Sequence, residues 1–115
     1  MPYLQRDLLV VPIPFSDLTQ RKLRPVVVLS NDRYNRTGSD VLVAGITSQL
    51  IARDYTVSLD TPDLEVGVIK RPSVVRADKV FSIDQRIVVG RFGRVREATF
   101  ERIRGEILTL LAANS

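Results

Sequence analysis

Two stretches of the 115-residue chain place polar groups at the ends of strongly apolar runs. In KLRPVVVLSN, residues 22–31, Arg24 precedes Pro25 and the unbroken run Val26–Leu29. In VLVAGITSQ, residues 41–49, an apolar run ends in Thr47, Ser48 and Gln49. A guanidinium is a planar donor fork that suits phosphate oxygens and stays protonated, so it stabilises negative charge and is a poor proton acceptor. An arginine and a hydroxyl together can supply positioning and charge stabilisation to a reacting group. Strand ends and loops beside a rigid sheet are where sites are usually built. Each stretch also has an ordinary reading. Arg24 can be a surface charge closing a loop, and Thr47 a β-branched strand residue followed by turn formers at Ser48 and Gln49.

Composition narrows the chemistry further. The chain has no histidine and no cysteine. That removes Ser-His-Asp and papain-like sites, His-ligated and thiolate metal sites, and disulfides. Proton transfers in such a chain fall to Arg, Lys, Asp, Glu, Tyr or water. No glycine-rich phosphate loop is present. Asp60, Asp63 and Glu65 lie close together without calcium-loop order and read as a solvated turn. No metal and no cofactor is therefore expected. The formal net charge is +4, and the cations are mostly arginine, with lysine only at Lys22, Lys70 and Lys79. This balance leans toward a polyanionic partner, either nucleic acid or an acidic protein.

These groups need a scaffold, and the pattern describes one. A 44% hydrophobic content supports a folded core, and the length suits a single domain over 1–115. No apolar stretch is long enough to span a bilayer, and MPYLQRDLLVVPIPF lacks a signal-peptide layout, so a cytoplasmic protein is expected. Residues 7–13 read as a first strand whose pairing Pro12 and Pro14 should limit. Residues 14–25 read as a polar loop, 26–31 as a second strand, and 32–40 as a loop with at most a helical turn. Strands follow at 41–49 and at 55–60, the latter alternating with period two. Residues 61–67 read as a turn. Residues 74–83 read as one strand or two short ones, and 86–92 as a strand interrupted by a bulge at Gly90. From Glu97 to Leu111, Phe100, Ile103, Ile107, Leu110 and Leu111 recur at helical spacing, with Gly105 suggesting a close helix–sheet approach. The sum is an α+β chain: a small antiparallel sheet or barrel with a C-terminal amphipathic helix packed on it.

Taken in order, DLLVVPIPFSDLTQRKLRPVVVLSN, VLVAGITSQ and PSVVRADKVFSIDQRIVVGRFGRV resemble the MazF/PemK family of toxin endoribonucleases from prokaryotic toxin–antitoxin systems. The resemblance runs from about Arg6 into the C-terminal helix. It implies an SH3-like barrel of the kind shared with CcdB-type gyrase poisons, a homodimer, and neutralisation by a cognate antitoxin whose flexible segment occupies the RNA groove. It also implies metal-independent, sequence-selective cleavage of single-stranded RNA, leaving a 2′,3′-cyclic phosphate and a 5′-hydroxyl. Messenger RNA is the first expectation, and ribosomal and transfer RNA stay open. By the same resemblance Arg24 and Thr47 are catalytic and Ser48 assists, while Arg76 matches a common family arginine. RNA contacts are expected from Phe15, Gln49, Ser73, Arg76 and Lys79, with Ser73 on the same edge as Arg76. Lys79 stands where relatives often carry glutamine. Residues 18–22 are expected to form a flap over the groove. Relatives often start the first strand with Gly-Asp, where this chain has Arg6-Asp7. A non-cleaving toxin or a plain binding module on the same barrel is the alternative. The tail LTLLAANS lacks the tryptophan expected of a gyrase poison.

Overall fold

In the computed structural model, which describes residues 2–14 and 21–113, the apolar runs become the middle of one sheet. Its strands are β1 (Asp7–Pro14), β2 (Arg21–Val28), β3 (Asp40–Thr47), β4 (Thr56–Leu59), β5 (Leu64–Gly67), β6 (Ser73–Asp84) and β7 (Gly90–Val95). A short helix α1 (Asp32–Thr37) joins β2 to β3, and α2 (Glu97–Leu111) follows β7. All ladders are antiparallel, in the order β4-β6-β3-β2-β1-β7-β5. The sheet curls into a half-barrel whose two edges, β4 and β5, do not meet.

The curl explains why the central strands read as continuous apolar runs. One face buries Leu8, Val27, Ala44, Ile46 and Val75 together with Ile103 of α2. The other buries Leu9, Val11, Val26, Val28, Val41 and Val43. A strand buried on both faces has no polar side to alternate with. Each such side chain contributes roughly 1.5–3 kcal/mol of burial. The edge strand β4, covered on one face, keeps the alternation read at 55–60.

Several boundaries differ from the sequence reading. Pairing of β1 with β2 continues through Pro12 to Pro14↔Arg21, because proline lacks the amide donor but keeps its carbonyl acceptor. Arg24 and Pro25 therefore sit within β2, not at the mouth of a strand. Residues 61–67 are a 3-10 turn followed by edge strand β5. The segment expected as a loop at 32–40 contains α1, whose start is capped by the Asn31 side chain accepting from Tyr34 N–H at 2.8 Å. The irregularity expected at Gly90 lies at Phe92, which has no counterpart in β1.

The terminal helix has the bounds its spacing predicts. Phe100, Ile103 and Ile107 face the core, whereas Leu110 and Leu111 are exposed. Gly105 meets nothing within 4 Å of where a Cβ would stand, so the expected close approach is absent.

Two non-glycine residues have positive φ, Arg6 at 78° and Tyr55 at 62°. Arg6 is where the family resemblance led to an expected glycine, and a left-handed backbone is one that glycine adopts without steric cost. Here the conformation is held by Arg6 N–H donating to Val28 O and Val95 N–H donating to Arg6 O, both at 3.0 Å. Beside it, Asp7 is buried and accepts from Arg91, Arg94 and the Leu4 amide.

Candidate functional site

Arg24 and Thr47 are brought together by register. Residues of β2 pair with β3 as Val26↔Gly45, Val27↔Ala44 and Val28↔Val43. The ladder stops there, one residue before Pro25, which has no N–H to donate. The same one-for-one register carried on sets Arg24 opposite Thr47. On the other side β1 continues, placing Arg24 against Val11. Arg24 and Thr47 line both of two adjoining cavities, one of about 340 Å³ and one of about 680 Å³.

The first cavity is walled by Ile13, Phe81 and Pro25 and carries Arg76 and Lys79. The second is walled by Leu23, Val68, Ile69 and Phe92 and carries Lys22, Lys70 and Arg71. Cations thus ring an apolar floor. That arrangement attracts a polyanion to the rim and offers planar groups a dry surface. Phe81, Lys70 and Arg71 were not singled out by sequence. Phe81 reads as one more strand apolar residue, and Lys70 and Arg71 as turn charges.

The Thr47 hydroxyl is oriented by its own turn. Its Oγ1 accepts from Gln49 N–H at 3.1 Å, which leaves the O–H free to donate toward the cavity. Ser48 lines the larger cavity. The Gln49 side chain is exposed and lines neither cavity, so Gln49 contributes through its amide.

An irregularity in β6 places the next two residues. Its partners on β3 jump from Ala44↔Val80 to Gly45↔Arg76, so Ala77, Asp78 and Lys79 have no counterparts. Three extra residues change which face each following side chain takes. Arg76 and Lys79, three apart, would otherwise point to opposite faces, yet both line the first cavity. Lys79 packs over Gly45, its Cβ 3.6 Å from where a Gly45 side chain would begin, an ordinary van der Waals distance. Before the bulge the alternation is regular, and it separates Ser73 from Arg76. Ser73 does not share the Arg76 edge: it is buried, lines the second cavity, and donates its hydroxyl to Arg71 O at 3.1 Å. Arg76 donates from Nε to Asp78 Oδ1 at 3.0 Å and from Nη2 to Oδ2 at 2.6 Å. The Arg76 hydrogen bonds hold the Asp78 carboxyl below the ordinary carboxylate range. Phe15 and residues 18–20 of the expected flap lie outside the described residues; Arg21 and Lys22 belong to β2. Among the described residues no group of three or more His, Cys, Asp or Glu could hold a metal ion, and no helix is long and apolar enough to cross a membrane.

A family model for the PemK-like, MazF-like toxin of type II toxin–antitoxin systems matches residues 5–111. No curated protein matches the chain. Among solved structures, MazF from Deinococcus radiodurans is similar at 24% identity and TM-score 0.77, covering 96% of this chain and 97% of that one. A MazE–MazF complex from the same organism gives 23% identity and TM-score 0.74 with 99% of both chains covered. An endoribonuclease from a mycobacterial species gives 19% identity and TM-score 0.78, covering 96% of this chain and 92% of that one. At these identities the structural likeness concerns the fold.

Proposed function

The chain belongs to the PemK-like, MazF-like toxin family of type II toxin–antitoxin systems, and on that premise we propose that it is a metal-independent endoribonuclease. Its substrate is single-stranded RNA, cut at short preferred sequences. The observation that carries this reading is one groove in which Arg24 and Thr47 line the same two cavities under a ring of Arg and Lys.

RNA supplies its own nucleophile. The 2′-oxygen attacks the adjacent phosphorus, the bond from phosphorus to the 5′-oxygen breaks, and a 2′,3′-cyclic phosphate forms. The 2′-hydroxyl loses a proton to a base that no residue here is assigned to, and the departing 5′-oxygen gains one, so it leaves as a hydroxyl. The protein has to align the phosphate and stabilise the pentacovalent phosphorane. Arg24 supplies fixed positive charge to the equatorial oxygens, held steady by Pro25 and the buried Val26–Val28 behind it. Thr47, with Oγ1 occupied by Gln49 N–H, donates its hydroxyl proton to a phosphate oxygen. Ser48 assists from the larger cavity. Lys79 and Arg76 hold the strand on one side; Lys22, Lys70 and Arg71 hold it on the other. Phe81 offers a stacking surface for an unpaired base. An antitoxin segment that covered this groove would exclude RNA, and a homodimer is the assembly that accompanies this fold in the proposal.

The test is incubation of purified protein with mixed RNA in EDTA, followed by sequencing of the cleavage ends. Cleavage at a short shared sequence with 5′-hydroxyl ends is expected. Arg24→Ala should cut about a thousandfold more slowly, the order seen when a guanidinium is removed from a phosphoryl transition state. Intact RNA across varied sequences, or undiminished cleavage by Arg24→Ala, would overturn the assignment.

A further inference from the structure

A carboxylate beside a groove for a polyanion works against binding, because like charges repel. Asp78 nevertheless stands next to the first cavity, and it engages Arg76 through both oxygens, at 3.0 and 2.6 Å. Both bonds use one edge of the guanidinium, the Nε and Nη2 edge. The opposite edge, Nη1 with the second Nη2 hydrogen, has no protein partner among the described residues. Arg76 lines the cavity that also holds Arg24 and Thr47. Its partner on β3 is Gly45, which adds no side chain beside it from that strand, and its partner on β4 is Thr56.

The backbone beneath the pair is held in a costly shape. Asp78 is the middle residue of the unmatched segment Ala77–Lys79. That segment is pinned where Ala77 N–H donates to Tyr55 O at 2.9 Å. Tyr55 makes this contact from φ 62°, a region aromatic side chains rarely occupy. A straight β6 would need neither the strain nor the bulge, and it would not bring Arg76 and Lys79 into one cavity.

We propose that Asp78 is a positioning residue: it fixes Arg76 by one edge so that the other edge meets two adjacent acceptors on bound RNA. Two side-by-side acceptors occur as O6 and N7 of guanine and as two oxygens of one phosphate. The proposal rests on the RNA-cleaving reading above. Its physical basis is preorganisation. A free arginine loses much of its rotamer freedom on binding, and a guanidinium already held by a carboxylate loses less.

The test compares wild type with Asp78→Asn, Asp78→Glu and Arg76→Lys. Three readouts are needed: cleavage of a randomised RNA library, kcat and KM on the preferred oligonucleotide, and Kd for that oligonucleotide blocked by a 2′-O-methyl group at the cut site. Asp78→Asn should raise KM and Kd about tenfold, the loss of one charge-assisted hydrogen bond, with kcat changed less than about twofold. Asp78→Glu keeps a carboxylate and should recover part of that loss. Arg76→Lys keeps the charge and the Asp78 contact but has no second edge, so it should weaken binding as Asp78→Asn does; it carries the test should Asp78→Asn fail to fold. If the acceptors are guanine's, both variants lose discrimination at one position that is otherwise guanine. If they are phosphate's, KM rises alike for all sequences and the preferred sequence is unchanged. Unchanged Kd and preference in folded Asp78→Asn and Arg76→Lys, or tighter binding by Asp78→Asn, would overturn the proposal. Wild type that binds the blocked RNA without cutting unmodified RNA would refute the endoribonuclease reading while the Kd comparison still decides the role of Asp78. Wild type that neither binds nor cuts RNA would overturn both.

Discussion

Arg6 combines a strained backbone with side-chain bonds that oppose the strain, so its substitutions separate the two. At φ 78° a non-glycine residue gives up about 1 kcal/mol or somewhat more. Its Nη1 donates to Val95 O at 2.8 Å and to Glu65 Oε1 at 3.2 Å. The Arg6 side chain is 19% exposed and that of Glu65 43%. The first bond, from a cation to a carbonyl, contributes about 1.5 kcal/mol, and the partly solvated ion pair about 0.5 kcal/mol after screening. Arg6→Ala loses both bonds and keeps the strain, so it should cost about 2 kcal/mol. Arg6→Gly loses the same bonds but relieves the strain; after the added backbone entropy of glycine in the unfolded chain, its net cost is about 1 kcal/mol. The expected order of stability is Arg6, then glycine, then alanine. For a chain of this length each kcal/mol corresponds to roughly 4 °C in Tm. Urea and thermal unfolding of the three proteins measure it. Arg6→Ala at least as stable as Arg6→Gly would show that the left-handed backbone carries no cost here. Both variants matching the parent would show that the bonds to Val95 and Glu65 contribute nothing.

Three further outcomes are expected. Thr47→Val removes the hydroxyl proposed to donate to the phosphate and should lower kcat about a hundredfold, whereas Thr47→Ser should stay within about tenfold of the parent; equal kcat for Val and Thr would remove Thr47 from the reaction. Gly67 has φ 94°, and a Cβ there would stand 2.3 Å from Phe92 O. Gly67→Ala should therefore cost about 2 kcal/mol or more by chemical denaturation and should loosen the Val68–Arg71 wall of the larger cavity. The Asp84 carboxyl is lowered from 3.8 to about 2, first by the Arg86 side chain and then by the Arg86 amide. A carboxylate with a lowered folded value gives its full stability above the unfolded value and loses it as pH falls through the folded one. The contribution should therefore fade between about pH 4 and pH 2. Asp84→Asn keeps a side-chain cap and should flatten that part of an acid-unfolding curve; an unchanged acid limb would refute the pairing.

Much of the scaffold is local and could be read from the chain. Six apolar or alternating segments, a terminal helix from Glu97 to Leu111 and a sheet-plus-helix class follow from side-chain periodicity alone, whereas the edge strand β5 read as a turn. So does the chemistry that is missing, because a chain without histidine or cysteine cannot present their sites wherever it folds. Arg24 and Thr47 were legible as polar groups at the ends of buried runs, and their order matched a known family.

What no local pattern carries is which residues share a groove. Register carries Arg24 to the same groove as Thr47, and register is set by how far β2 and β3 slide before their cores interlock. The three unmatched residues of β6 decide that Lys79 joins Arg76. Regular alternation before that bulge sends Ser73 to the other cavity. Period two is written in neighbouring residues, but a bulge is a mismatch between two strands more than thirty positions apart, and neither strand states it alone. For the same reason no sequence pattern marks Asp78, whose two oxygens the fold sets against Arg76. Sequence alone determined the kinds of groups this protein can bring to a groove; the tertiary structure decided which of them face it, because facing is a relation between strands.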